Sequence, residues 1–319
     1  MTFGGAVGSA VGRMGRRVLY GTPGLRGTAA RLRPRACVLM YHRVAAVETD
    51  PYGQAVHPER FREQLAALRE QHDVLSLEDL VRGLHERDYP DGAVAVTFDD
   101  GYADTLDTAC PAAAALDVPV HVFVTTGPIE AGAPVFWWDE LAALGSEGYG
   151  ALHDELRQLP SLARDARLDE LRAGRPRAAR DEAGRPLTVA ELAELARLPS
   201  VGIGAHSVTH PALASRPADE QAAELGGARA RLQQLTGLDI GLVSYPFGKE
   251  PDVGPETRRL AEEAGYHAAF MTVPRALVPG CSTSPGSRSG TSRTRSARSR
   301  TSARRRGGSR RRRATTPRS

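Results

Sequence analysis

The chain has 319 residues, 41% of them hydrophobic and 25% charged, which is enough apolar material for the core of one large α/β domain. No run approaches the roughly 18 consecutive apolar residues of a membrane-spanning helix, and no glycine or heptad period indicates a collagen-like or coiled-coil protein. The net charge of +4 gives no argument for nucleic-acid binding by the body of the chain, because the last 39 residues hold 13 arginines and no acidic residue, whereas the first 280 hold 29 basic and 38 acidic residues.

The first 35 residues form a basic leader with seven arginines. Glycines stand where a signal peptide needs a dense apolar stretch, so we expect a location in the cytoplasm or at the inner face of the membrane. The leader is predicted to be poorly ordered. The alternative is that the basic termini make weak contact with an anionic membrane or another polyanion. No specific nucleic-acid partner is expected.

Strands and helices alternate through the first third of the chain. The clearest strand is Ala93–Phe98, which is apolar and β-branched and ends abruptly at Asp99-Asp100-Gly101. The other elements expected here are strands at Ala36–Tyr41 and Val118–Thr125 and helices at 58–70, 76–84 and 103–116.

The alternation continues after a long helical segment. Residues 137–198 are rich in Leu, Ala, Glu and Arg and are predicted to be mostly helical. Beyond them, strands are expected at Val201–Ala205, Ile240–Tyr245 and Tyr266–Thr272 and helices at 217–235 and 255–264. This spacing predicts an α/β fold with mainly parallel strands, either as an open sheet or closed into a barrel.

Residues 276–319 form a tail rich in Arg, Ser and Thr. After about residue 280 it contains no Leu, Ile, Val or Phe, so it cannot bury apolar surface and is predicted to be disordered. GC-rich DNA that is read out of frame gives the same composition, and a frameshift product is therefore our hypothesis for this tail.

Polar side chains follow the strands at the points where they end. They are His42, Asp99, Asp100, His206 and the turn Tyr245-Pro246-Phe247-Gly248. In parallel α/β proteins the carboxyl ends of the strands meet at one edge of the sheet, and functional sites are built there. The sequence therefore predicts one site that combines these residues.

Two of these features suit metal-dependent hydrolysis. Asp99 and Asp100 are adjacent carboxylates, and a crowded pair of anions usually holds a cation or a shared proton, although a solvated Asp-Asp-Gly turn is about as common. His206 and His210 are four residues apart, so on one helical turn they would project to the same side and could share a metal. Two unrelated surface histidines are the alternative.

The other candidates carry weaker signals. His42 is a candidate general acid on the strength of its position at a strand end. Trp137 and Trp138 could stack on sugar rings, although a hydrophobic staple that opens a helix explains them equally well. The turn Tyr245–Gly248 could form one wall of a substrate pocket or be a simple turn.

The segment Thr97–Gly101, followed by His206-x-x-x-His210, resembles the motifs of the polysaccharide deacetylase family, also called the NodB-homology or chitooligosaccharide deacetylase-like domain. The resemblance covers residues 36–275. It implies a distorted (β/α) barrel and an enzyme that removes acetyl groups from N-acetylated amino-sugar glycans. Such an enzyme acts on the amide bond of the acetylated amine and not on peptide bonds. O-acetylated polysaccharides are substrates in some branches of the family.

The resemblance also implies roles for single residues. Asp99 would be the catalytic base, and Asp100, His206 and His210 would bind a divalent ion, usually zinc. One branch of the family looks circularly permuted and carries a Tyr-His element before the Asp-Asp strand. Tyr41-His42 matches that element, which makes His42 the implied general acid.

The chain departs from the family pattern at two places. Ser244 stands where the third motif usually has an arginine that orients the base, and no late Leu-x-His element follows residue 248. Besides the metal-dependent N-deacetylase, two other functions therefore stay open: an O-acetyl ester hydrolase and a catalytically impaired glycan-binding scaffold.

Overall fold

A computed structural model describes residues 36–47, 50–145, 148–175 and 184–272. The basic leader (residues 1–35) and the tail (residues 276–319) lie outside the described residues. None of the helices within the described ranges has the length and apolar character that a bilayer crossing requires.

In the part of the chain that the structure describes, six strands form one parallel sheet. They lie side by side in chain order, so that each is hydrogen-bonded to the next one listed here. The strands are β1 (Ala36–Tyr41), β4 (Ala93–Phe98), β5 (Val120–Val124), β6 (Val201–Ala205), β7 (Leu242–Ser244) and β8 (Ala268–Phe270). Two short strands, β2 (Arg43–Val44) and β3 (Ala55–Val56), pair separately.

The helices fall between the strands as the alternation predicts. Before β5 there are α1 (Pro58–Gln71), α2 (Leu77–Glu86) and α3 (Cys110–Ala114). Between β5 and β6 there are α4 (Thr126–Glu130), α5 (Trp137–Ala143), α6 (Tyr149–Leu156), α7 (Ser161–Arg172) and α8 (Val189–Leu195). The last two are α9 (Ala218–Thr236) and α10 (Pro255–Glu263).

The sheet curls into a half-barrel, which confirms the predicted α/β architecture. Its two edges approach each other, since the Thr272 hydroxyl after β8 lies 3.7 Å from the Met40 sulfur in β1. On the outer face, one large apolar cluster joins the strands to α1, α3, α8, α9 and α10. On the inner face, a smaller cluster joins Phe123 and Leu242 to the buried side of α2. Burial of both faces explains why β4 is apolar at every position except Thr97.

One layer of the inner face is occupied by a histidine. The His121 imidazole is 1% exposed, and its Nδ1 lies 2.9 Å from Glu78 Oε1 of α2. It lies across β6 at Gly202 and Gly204, where an added Cβ would fall 2.3 Å and 2.6 Å from the two ring nitrogens. Glycine is required at both positions because this ring occupies the space of a side chain.

Candidate active site

The site lies at the carboxyl end of the sheet, where β1, β4, β6 and β7 stop. His42 directly follows β1, Asp99 and Asp100 follow β4, and His206 follows β6. Because the strands run parallel in one sheet, residues up to 164 positions apart in the sequence meet at one edge.

A turn at the end of β4 brings both carboxylates of the doublet inward. Asp99 and Asp100 are 3% and 2% exposed. The strand ends because Asp100 has φ 75° and Gly101 has φ 89°, both in the left-handed region. The turn is fixed by hydrogen bonds from the Asp99 N–H to the Tyr41 carbonyl and from the Thr125 N–H to the Asp100 carbonyl.

The two histidines meet through a loop and not on a helical turn. Residues 206–210 have no helical structure, and both Ser207 (φ 63°) and His210 (φ 58°) adopt left-handed backbone. The helical-turn geometry expected from the i, i+4 spacing is therefore wrong. These two reversals fold the loop so that the His206 and His210 rings lie with centroids 4.9 Å apart.

Asp100, His206 and His210 form a compact cluster of three buried ligand atoms. Asp100 Oδ1 lies 3.4 Å from His206 Nε2 and 3.3 Å from His210 Nε2, and the two Nε2 atoms are 3.2 Å apart. Ligand atoms at about 2.0–2.1 Å from a tetrahedral ion lie about 3.3 Å from one another. The three atoms therefore have the spacing of one face of a zinc-type tetrahedron.

The hydrogen bonds around the cluster favour a ligand role. His206 Nδ1 donates to the Ser244 carbonyl at 2.8 Å, which leaves the lone pair of Nε2 directed at the other two ligand atoms. Asp100 Oδ1 is buried without a hydrogen-bond partner in the described part of the chain. A buried carboxylate oxygen with no partner is costly unless an ion satisfies it, so the residues fit a divalent cation.

The charges in the site are strongly coupled. Burial works to raise the pKa of Asp100, but the adjacent imidazoles of His206 and His210 hold this pKa well below its usual range. Burial raises the pKa of Asp99, with His206 and His42 acting against it. Burial also lowers the pKa of His210 to about 4, whereas Asp99 and Asp100 raise the pKa of His206 against the effect of burial.

Asp99 lies beside the cluster and is held by Ser244. The Ser244 hydroxyl donates to Asp99 Oδ2 at 3.1 Å, while Asp99 Oδ1 has no hydrogen-bond partner among the described residues. This hydroxyl stands at the position of the arginine in the family's third motif. The sequence marked Ser244 only as a departure, but the alternation along β7 would have placed it on the same inner face as Leu242.

The predicted substrate-contact residues divide into two groups. Phe247 lies against the site, with its ring centroid 4.7 Å from that of His210. Tyr245, directly after β7, is 3% exposed and packs in the outer apolar cluster, so it is not part of the pocket wall. Pro246 and Gly248 are buried in the turn that presents Phe247.

The two tryptophans lie behind the ligands. Trp137 and Trp138 are 7% and 4% exposed, so the structure does not support their prediction as platforms for sugar rings. The Trp138 ring packs 4.5 Å from His210, and its Nε1 donates to the Tyr102 hydroxyl at 2.7 Å. Trp137 stacks on His153 at 5.2 Å. Both indoles support the site from within α5.

His153 makes acid stability a test of this aromatic packing. Burial lowers its pKa from 6.5 to about 4, so the unfolded chain binds a proton between these pH values and the folded chain does not. Stability is therefore lost as the pH falls from 6.5 to 4. His153→Phe keeps the stacked ring but cannot titrate. Over this pH interval we expect its free energy of unfolding to fall by about 1–2 kcal/mol less than that of the wild type, allowing for the partial exposure of the ring.

Urea unfolding at pH 7.5, 6, 5 and 4.5 measures this difference, with His85→Phe on the exposed face of α2 as the matched control. A difference between His153→Phe and the wild type that stays constant over this pH range would contradict the assignment.

A curled parallel sheet with paired carboxylates and two histidines gathered at its carboxyl end defines an α/β protein with a candidate metal-binding site. The family model for polysaccharide deacetylase matches residues 86–269. This segment is more than half of the chain and contains both aspartates, both histidines and the β7 turn. The chain belongs to the polysaccharide deacetylase family. No curated protein matches it.

Solved structures share its fold. The deacetylase PplD of Streptococcus pyogenes, in complex with acetate, is 21% identical with a TM-score of 0.51, over 72% of this chain and 80% of that one. A de-N-acetylase from Aggregatibacter actinomycetemcomitans is 15% identical with a TM-score of 0.54, over 74% and 87%. IcaB from Ammonifex degensii is 19% identical with a TM-score of 0.55, over 78% and 88%.

Proposed function

We propose that this protein is a metal-dependent hydrolase that removes N-acetyl groups from amino-sugar glycans. The observation that carries the proposal is the cluster of Asp100, His206 and His210, with a fourth buried group, Asp99, beside it. These three ligands would hold a divalent cation, and their nitrogen and oxygen atoms at tetrahedral spacing favour zinc.

A bound cation of this kind supplies Lewis-acid polarisation of the acetyl carbonyl and lowers the pKa of a water molecule. The chain's own groups complete the reaction. Asp99 accepts the proton of the attacking water as the new C–O bond forms, and the Ser244 hydroxyl holds the carboxylate in place for this transfer. Metal ligation occupies Asp100, so the two carboxylates of the doublet have different tasks.

The leaving nitrogen needs a proton when the C–N bond breaks. His42 follows β1 next to the Asp99 strand, close enough to lower the pKa values of both Asp99 and Asp100. We assign to His42 the donation of this proton, which yields acetate and a free amine. The resemblance of Tyr41-His42 to the Tyr-His element of one family branch supports the same role.

The family supports an acetylated polysaccharide or oligosaccharide as the substrate. The structural likeness to a protein described as a de-N-acetylase favours the amide over the ester. The Phe247 ring beside His210 provides an apolar surface at the site, of the kind that the faces of sugar rings contact.

Acetate release tests the proposal. The purified protein is incubated with N-acetylglucosamine oligomers and with O-acetylated polysaccharide, before and after chelation and after zinc is restored. We expect release from the N-acetylated substrate, loss with the chelator and recovery with zinc. Release from the O-acetylated substrate alone would indicate an ester hydrolase, and glycan binding without acetate release or bound metal would indicate a scaffold.

A further inference from the structure

We propose that Glu224 of α9 is a positioning residue that holds the loop 206–210 in the conformation in which its two histidines can bind a metal ion. The inference rests on the proposed function, because it concerns the same ligands. It assigns a task to a side chain that lies outside every motif in the sequence.

The loop needs such support because its backbone is unfavourable by itself. Two of its five residues, Ser207 and His210, are non-glycine residues with positive φ. Such conformations cost of order 1–3 kcal/mol each and persist only where the surroundings enforce them. His206, Ser207 and His210 are also buried, so the peptide groups of the loop require partners inside the protein.

Glu224 satisfies the donors at the centre of the loop. Its Oε2 accepts hydrogen bonds from the N–H groups of Val208 and Thr209, both at 2.8 Å, and its Oε1 accepts one from the Thr209 hydroxyl at 2.6 Å. The outer donors have other partners, since the His206 N–H donates to the Val124 carbonyl of β5 and the His210 N–H to the Ser207 hydroxyl. Within the loop, a single carboxylate therefore binds three donors.

The carbonyls of the loop are held from the opposite side. Those of His206, Ser207 and Val208 accept from the Thr125 hydroxyl and from the N–H groups of residues 126 and 127 in α4. The Thr209 carbonyl accepts from Arg164, a guanidinium of α7 that is 6% exposed, at 2.7 Å. The carbonyl side has four separate donors, whereas the N–H side depends on Glu224 for two of its groups.

Zinc titration of three variants tests the inference. Glu224→Ala removes all three hydrogen bonds, and we expect zinc affinity to fall about 10- to 100-fold, the range for partners that orient metal ligands. Glu224→Gln keeps an oxygen that can accept from both N–H groups and an NH₂ that can donate to the Thr209 hydroxyl, so it should retain most of the affinity. Glu220→Ala, one turn earlier on α9, is the matched control.

Hydrogen exchange of the metal-free proteins gives a readout that needs neither metal nor activity. In Glu224→Ala the amides of Val208 and Thr209 should lose protection, while those of β6 and α9 keep it, which also shows that the variant is folded. Wild-type zinc affinity in a folded Glu224→Ala protein would overturn the inference, and so would a Glu224→Gln protein as weak as Glu224→Ala. A wild-type protein that binds no divalent metal would instead overturn the proposed function.

A substitution in α4 tests the same loop by steric displacement. A Cβ at Gly127 would lie 2.7 Å from the Val208 carbonyl oxygen, which must then move. Gly127→Ala should therefore also weaken zinc binding, whereas Gly226→Ala on α9, where nothing lies within 4 Å, should not. Equal affinities of these two variants would contradict the claim that the loop conformation controls metal binding.

Discussion

The Asp99→Asn protein is expected to bind zinc as the wild type does and to release acetate about 10²- to 10⁴-fold more slowly. Asparagine has the shape of aspartate and can still accept the hydrogen bond from Ser244, so the buried site should keep its geometry. The amide cannot take a proton from water, so the substitution removes the base and leaves the ligands. Acetate release and metal content, measured on the same preparation, check both halves of the prediction.

Asp107→Asn, on the short π-helix Thr105–Ala109 that follows the doublet, is the matched control because the same chemical change is made at an exposed position. It should retain both metal and turnover. Wild-type turnover by Asp99→Asn would show that another group accepts the proton, whereas loss of metal would show that Asp99 is itself a ligand.

The Asp100→Asn protein is expected to bind zinc more than about 100-fold more weakly, because a charged ligand oxygen is removed. This loss exceeds the roughly 10- to 100-fold typical of residues that only hydrogen-bond to a metal ligand. Asparagine tolerates the left-handed backbone at this position, where φ is 75°, so the turn should survive. Zinc at 100 times its Kd stabilises a protein by about 2.7 kcal/mol. The wild type should therefore show a zinc-dependent rise in Tm that Asp100→Asn lacks.

Asp104→Asn controls for the loss of a buried carboxylate. Asp104 is 4% exposed and binds Arg43 instead of the histidines. Its replacement should lower the Tm but preserve the rise with zinc. An Asp100→Asn protein with the full zinc-dependent rise would refute the ligand assignment.

The sequence predicted the parallel sheet and the edge that carries the site because both follow from local patterns. Apolar β-branched runs ending in polar residues mark β4 and β6, and in a parallel sheet these ends necessarily meet. Observed strands β1, β4 and β6 have the predicted bounds. In contrast, β7 is shorter than expected at both ends, because only Leu242–Ser244 pairs with its neighbours.

Other features depend on contacts between distant segments, which local patterns do not contain. The i, i+4 spacing of His206 and His210 suggested a helix, but α4, α7 and α9 hold the loop in another conformation. Tyr245 and Ser244 are neighbours in sequence, yet the alternation of the strand directs them to opposite faces. The partnership of Ser244 with Asp99 joins residues 145 positions apart.

The layer of the half-barrel filled by His121 has a consequence for how this sequence can change over time. A methyl group at Gly204 would lie 2.5 Å from the Phe123 ring and 2.6 Å from His121, and one at Gly202 would strike His121 and Glu78. These positions therefore form a steric unit: a side chain at Gly202 needs a smaller residue at position 121 and movement of Glu78, and one at Gly204 needs smaller residues at positions 121 and 123. A lineage can remodel this layer only by concerted replacement, and we expect residues 121, 202 and 204 to covary among related chains.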